Sequence, residues 1–125
     1  MLSQVSLESM CDTILKLNKS IQSVAVINNR GRVMEKISRP QFAKQFPDHL
    51  NELFCMSCVL QISMGKDFDE NYGPINYHIS ERANLTMITF LLDENVILIT
   101  TDKSTSPITL SRKIVYTIND HRKQF

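Results

Sequence analysis

The stretch PDHLNELFCMSCVLQISMGK, residues 47–66, carries apolar side chains on more than one side when it is read as a helix. Leu50, Leu53, Phe54, Leu60 and Met64 fall on one stripe, at spacings of three, four and their sums. Cys55, Met56, Val59 and Ile62 fall on the remaining circumference, and Asn51, Glu52 and Ser63 leave only a narrow polar strip. A surface helix needs one apolar stripe, whereas a helix that is apolar nearly all round is buried from more than one direction. In a chain of 125 residues the protein's own sheet can cover one side. A second copy of the same protein is expected to cover the other.

Working outward, Pro47 suits the first turn of this helix, because its missing N–H has no intrahelical partner there, and Gly65 marks its end. DFDENYGP, residues 67–74, reads as a polar loop. Upstream, residues 6–19 predict a helix with Leu7, Met10, Cys11, Ile14 and Leu17 on one stripe and Ser6 as N-cap. Residues 21–28, IQSVAVIN, are β-branched and apolar on both faces, as a central strand requires. Asn28-Asn29-Arg30-Gly31 turns the chain into a second strand over 32–38, closing a hairpin. A connection over 39–46 contains Pro40, with one helical turn around residues 41–44. Downstream, residues 75–81 alternate loosely, with Ile75, Tyr77 and Ile79 on one side, which suits an edge strand. Residues 85–92 and 96–101 predict two central strands joined at Asp93-Glu94-Asn95. Ser106-Pro107 then opens a last helix ending near His121, whose stripe is Ile108, Leu110, Ile114, Val115 and Ile118. The order α-β-β-α-β-β-β-α is α+β in character, with five strands and three helices to cover them, in one domain over 1–125.

A hydrophobic content of 42% with 22% charged residues is ordinary for a globular domain. The formal net charge of +1 gives no global attraction to nucleic acid or to an anionic membrane. No apolar run approaches the ~20 residues of a membrane span. The opening MLSQVSLESMCD lacks the basic patch, apolar core and cleavage site of a signal peptide, so a cytoplasmic location is expected. Three cysteines, an odd number, agree with reduced thiols. In that setting Asn18-Lys19-Ser20 and Asn84-Leu85-Thr86 are not glycosylation sites.

No G-x-S-x-G, P-loop or G-x-G-x-x-G occurs, so no catalytic residue is assigned. Cys55 and Cys58 make a C-x-x-C, but no second pair supplies further zinc ligands, and Cys55 lies two turns into its helix rather than at the N-terminus that lowers a thiol pKa. Packing between helix and sheet is the reading preferred for both. Asp67, Asp69 and Asn71 imitate the start of a calcium loop, which then fails at Tyr72, where glycine is needed, and at His78, where glutamate is needed. His49, His78 and His121 read as surface histidines without a neighbouring nucleophile. Arg30, Arg32, Arg112, Lys113, Arg122 and Lys123 read as solvated faces. No cofactor or metal is expected.

The hairpin AVINNRGRVMEK, residues 25–36, and the meander LTMITFLLDENVILITTD, residues 85–102, on either side of the long middle helix resemble the roadblock/dynein light chain family. Asn28-Asn29 stands where that family commonly has an acidic residue. The resemblance implies a profilin-like three-layer α/β sandwich with a mostly antiparallel sheet. It also implies a non-catalytic homodimer in which the middle helices pack side by side and the third strands pair. Leu50, Leu53, Phe54, Ser57, Leu60, Gln61, Met64, Ile75, Tyr77 and Ile79 would then form the interface. It further implies a scaffold or regulator that contacts other proteins, a small Ras-like GTPase among them. Two alternatives stay open: a PAS-like small-molecule sensor, and a thiol or metal protein using the C-x-x-C.

Overall fold

The computed structural model describes residues 4–42 and 48–124. Its elements are α1 (Gln4–Leu15), β1 (Ile21–Ile27), β2 (Val33–Ser38), a 3-10 turn at Pro40–Phe42, α2 (Asp48–Gly65), a second 3-10 turn at Lys66–Phe68, α3 (Asp69–Tyr72), β3 (His78–Glu81), β4 (Thr86–Leu92), β5 (Asn95–Thr101) and α4 (Pro107–Gln124). The strands form one sheet in the order β2-β1-β5-β4-β3, and every pairing is antiparallel. β2 and β3 are therefore its edges.

Two cores sit on opposite faces of this sheet, which makes three layers. On one face Leu7, Met10 and Ile14 of α1 and Leu110, Ile114 and Ile118 of α4 meet Val24, Val26, Ile88, Phe90, Ile97 and Ile99. On the other, Cys55, Cys58, Val59 and Ile62 of α2 meet Ile27, Met87, Val96 and Leu98. The period-2 alternation along β4 and β5 assigns neighbours such as Ile97 and Leu98 to opposite cores. Each central strand is buried on both faces, and this is why it reads as a continuous apolar run.

Two bulges interrupt that alternation. Val26 pairs with Glu35 but Ile27 pairs with Val33, which leaves Met34 as an extra residue in β2. Ile21 pairs with Thr101 but Ser23 pairs with Thr100, leaving Gln22 extra in β1. An extra residue moves everything beyond it to the other face. Ile21 thereby joins Val24 in the α1/α4 core although the two are three residues apart.

The β1–β2 turn is built on Asn28. Its Oδ1 accepts from the N–H of Arg30 at 2.9 Å and of Arg32 at 3.1 Å, as an aspartate oxygen at this position would. Gly31 has φ +81, and a Cβ there would meet the Met56 side chain of α2 at 2.9 Å. Glycine is needed here both for the backbone and for the close approach of α2.

α1 runs from Gln4 to Leu15 rather than over 6–19, so Ser6 lies inside the helix, buried, and does not cap it. The carbonyls at this stop are capped by Arg39, just past β2. Its Nε donates to the carbonyl of Ile21 at 2.7 Å, and its Nη2 to those of Leu15 at 2.9 Å and Asn18 at 3.1 Å. One guanidinium thus satisfies carbonyls left open where α1 ends and β1 begins. Arg39→Met should lower the unfolding free energy by at least about 2–3 kcal/mol, since one hydrogen bond from a charged donor contributes about 1.5–3 kcal/mol and three are lost. Urea denaturation measures it, Arg39→Lys should recover only part of the loss, and a change under about 0.5 kcal/mol would refute this role.

Downstream of α2, residues 67–74 are not a plain loop: the 3-10 turn at Lys66–Phe68 leads into one turn of helix, α3. Asp69 and Glu70 stand in its first turn, where carboxylates favour a helix start, and Gly73 (φ +83) ends it by donating to the Asp69 carbonyl at 2.7 Å. The third strand is correspondingly shorter than 75–81 and begins at His78. Ile75 instead folds back on Gly65, where a Cβ would lie 2.5 Å from its Cδ1. α4 continues past His121, which is buried rather than on the surface, with Nδ1 3.2 Å from the Thr117 carbonyl.

Candidate functional site

α2 presents its two apolar sets to different surroundings. Cys55, Cys58, Val59 and Ile62 face the sheet and are buried. Leu53, Leu60 and Met64 point outward and are 66%, 53% and 71% exposed. Met56 lies between them, partly covered by Gly31. Residues 53, 56, 60 and 64 are three, four and four apart, so they form one apolar stripe along the helix. Ser57 and Gln61 are exposed beside it, and the Ser57 hydroxyl is occupied by the Phe54 carbonyl at 2.6 Å. Large apolar side chains exposed in one contiguous run mark a contact surface rather than scattered surface residues.

The residues expected at an interface therefore divide. Leu53, Ser57, Leu60, Gln61 and Met64 come together on the outer face of α2. Phe54 is half-buried and packs toward the sheet. The side chain of Leu50 lies outside the described residues, as does that of His49. Ile75 precedes the strand and rests on Gly65, while Tyr77 and Ile79 are half-buried against the α1/α4 core. Tyr77 packs on Phe90 with ring centroids 6.1 Å apart and planes tilted by 56°. What β3 offers outward is its backbone: it pairs with β4 on one side, and among the described residues no strand pairs with its other side.

Between α2 and β3 lies a small hollow of about 90 Å³, bordered by Ser57, Gln61, His78 and Thr89. The Nε2 of His78 and the Oγ1 of Thr89, opposite each other across β3 and β4, are buried there without a hydrogen-bond partner among the described residues. On the same face of the sheet, a larger cavity of about 530 Å³ opens beside the N-terminal half of α2. Sequence reasoning gave its two cationic rim residues, Lys36 and Arg82, no role. Lys36 reaches this face through the bulge at Met34, which no local pattern announces.

The three thiols are free and buried. Burial pushes Cys11 up from 9.0 to about 12, with Glu35 adding to the rise. Burial likewise raises Cys58 to about 11, reinforced by Cys55 and opposed by the Ser57 hydrogen bond, and it raises Cys55 against the pull of Lys36. A reactive or metal-binding cysteine requires the thiolate, which this environment disfavours. Among the described residues no three His, Cys, Asp or Glu side chains are grouped as metal ligands would be. The raised values also carry a stability consequence. Above pH 9 the unfolded chain releases these protons while the folded chain keeps them, so stability should fall as pH rises from 9 toward 11. The slope is at most roughly 1.4 kcal/mol per pH unit for each thiol. Chemical denaturation across that range should show a shallower fall in Cys11→Ala/Cys58→Ala, and equal slopes would refute the assignment.

No helix of the described residues is long and apolar enough to cross a membrane. No protein-family profile matches the chain, and no curated protein matches it by sequence. Solved structures do match in shape. MglB of Myxococcus xanthus superposes with a TM-score of 0.74 at 14% identity, over 99% of this chain and 91% of that one. A Roadblock/LC7 domain from Streptomyces avermitilis gives 0.69 at 8% identity, over 93% and 94%. Profilin II of Acanthamoeba castellanii gives 0.61 at 12% identity, over 94% and 98%. At such identities a likeness speaks for the fold, and the resemblance first visible in the hairpin and meander is borne out at that level. The chain has the roadblock/LC7 fold, an α+β member of the wider profilin-like architecture.

Proposed function

We propose that this protein is a non-catalytic, single-domain interaction platform that works as a homodimer. Two copies would join through the outer stripe of α2, centred on Leu53, Ser57, Leu60, Gln61 and Met64, with the free edges of β3 pairing beside it. The observation that carries this reading is the exposure of Leu53, Leu60 and Met64 in one line on a helix whose other side already has a core. A twofold axis lets that stripe cover its own copy, and pairing across β3 removes an open sheet edge in the same step. Tyr77 and Ile79 support the edge from within, and Ile75 holds the end of α2 against the start of that strand. The roadblock proteins that the sequence resembles act by protein contact, which makes a small Ras-like GTPase in the cytoplasm the first partner class to test.

Light scattering coupled to size exclusion is the direct test. A dimer mass at micromolar concentration is the expected result, and a monomer at the highest concentration attainable removes the proposal.

A further inference from the structure

The cavity beside α2 invites a different question, because Leu53, Leu60 and Met64 of the outer stripe are not among its lining residues. Its floor is the sheet surface at Ala25, Leu85, Met87 and Leu98, and Phe54 forms a wall. The volume of about 530 Å³ falls within the range of roughly 300–1,000 Å³ typical of small-molecule sites. The floor also carries Ser23 and Thr100, whose hydroxyls are 2.6 Å apart and satisfy each other. A ligand resting there need not supply polar atoms to the floor. The mouth is another matter. Lys36 stands on the β2 side, in register with Ala25, and Arg82 on the turn before β4, where its backbone N–H donates to the Leu85 carbonyl at 2.8 Å. Lys103 Nζ holds the Arg82 carbonyl at 3.0 Å, so the turn bearing this guanidinium is tied from both sides. No carboxylate is among the described residues lining the cavity, and neither cation has an ion pair among the described residues.

We propose that this cavity binds an amphipathic acid, its hydrocarbon body on the Ala25–Leu98 floor and its acid group on a cation of the rim, Lys36 or Arg82. The apolar floor gains from the removal of water, and the cation that meets the acid gains an anion that no described neighbour supplies. A neutral amphiphile of the same length would gain only the first. A second protein chain filling the cavity would leave no room for either.

Isothermal titration calorimetry on the full chain tests this with decanoate, decanol and acetate. Decanoate should bind saturably, one per chain, decanol about tenfold more weakly, and acetate without measurable heat. Ala25→Leu, which fills the floor, should abolish decanoate binding. Lys36→Met/Arg82→Met should bind decanoate and decanol alike, and as both positions are exposed this variant decides the question alone should Ala25→Leu not fold. Leu53→Glu/Leu60→Glu should keep decanoate binding, which separates this site from the dimer surface. The proposal is overturned by the absence of saturable decanoate binding, by equal affinity for decanoate and decanol in the unaltered protein, or by binding that survives Ala25→Leu yet disappears in Leu53→Glu/Leu60→Glu.

Discussion

Leu53→Glu combined with Leu60→Glu should convert the proposed dimer into a folded monomer. Both side chains are more than half exposed on the isolated chain, so a carboxylate at either position remains hydrated in the monomer. Substitutions on such a surface usually change stability by no more than about 0.5 kcal/mol. In a twofold interface the same two positions appear on both sides, so four carboxylates would be brought together in a desolvated apolar strip. Truncating a single central anchor typically costs about 2–4 kcal/mol of association, and like charges facing each other cost several more. Together these weaken association by roughly a thousandfold or more. Sedimentation velocity should show monomer only, with an unchanged circular dichroism spectrum and melting temperature. Lys113→Glu, on α4 across the sheet, should leave the dimer intact. A double variant that stays dimeric would move the interface off α2. One that fails to fold would show the outer stripe to be part of the chain's own core.

The second large effect belongs to the other side of the sheet. Phe90 is among the largest fully buried side chains, in a core that α1 and α4 close from above. Phe90→Ala should cost about 3–5 kcal/mol for the lost apolar area and the cavity left behind. The tilted contact with Tyr77 adds about 0.5–1.5 kcal/mol of aromatic pairing that is lost with it. Domains of this size are stable by about 5–15 kcal/mol in total, so the variant should sit near the edge of folding, its melting temperature lowered by roughly 15 °C. The loss should also reach the edge strand, because Tyr77 directly precedes β3 and is anchored on Phe90. Dimer formation should therefore weaken before the variant unfolds outright. Tyr116→Ala, 74% exposed on α4, serves as the control and should change stability by about 0.5 kcal/mol or less. A loss under about 1 kcal/mol for Phe90→Ala would contradict the core described here.

The sequence by itself determined the five strands, the three long helices and their order, but neither the bounds of α1, β3 and α4 nor the short helix α3. Side-chain periods of 2.0 and 3.6 are local properties, and Ile97–Leu98 or Leu110–Ile114–Ile118 state them within a few residues. It also showed that α2 carries two apolar sets. Which set meets the sheet was decided only in three dimensions. The rotation of a helix depends on the shape opposite it, and here Phe54 of one set turns toward the sheet with Cys55, Val59 and Ile62, while Met56 of the other comes out beside Leu53 and Leu60. The bulges at Gln22 and Met34 belong to pairs of strands rather than to either strand, so the face on which Lys36 emerges is not written in β2 alone. The same holds for Arg39, whose three acceptors are brought together by the packing of α1 and β1, and for His121, buried by contacts its own neighbours do not reveal. Local sequence specifies what each segment prefers to be. The meeting of segments distant in the chain selects which side of each is covered, and hence the outer stripe of α2 and the cavity beside it.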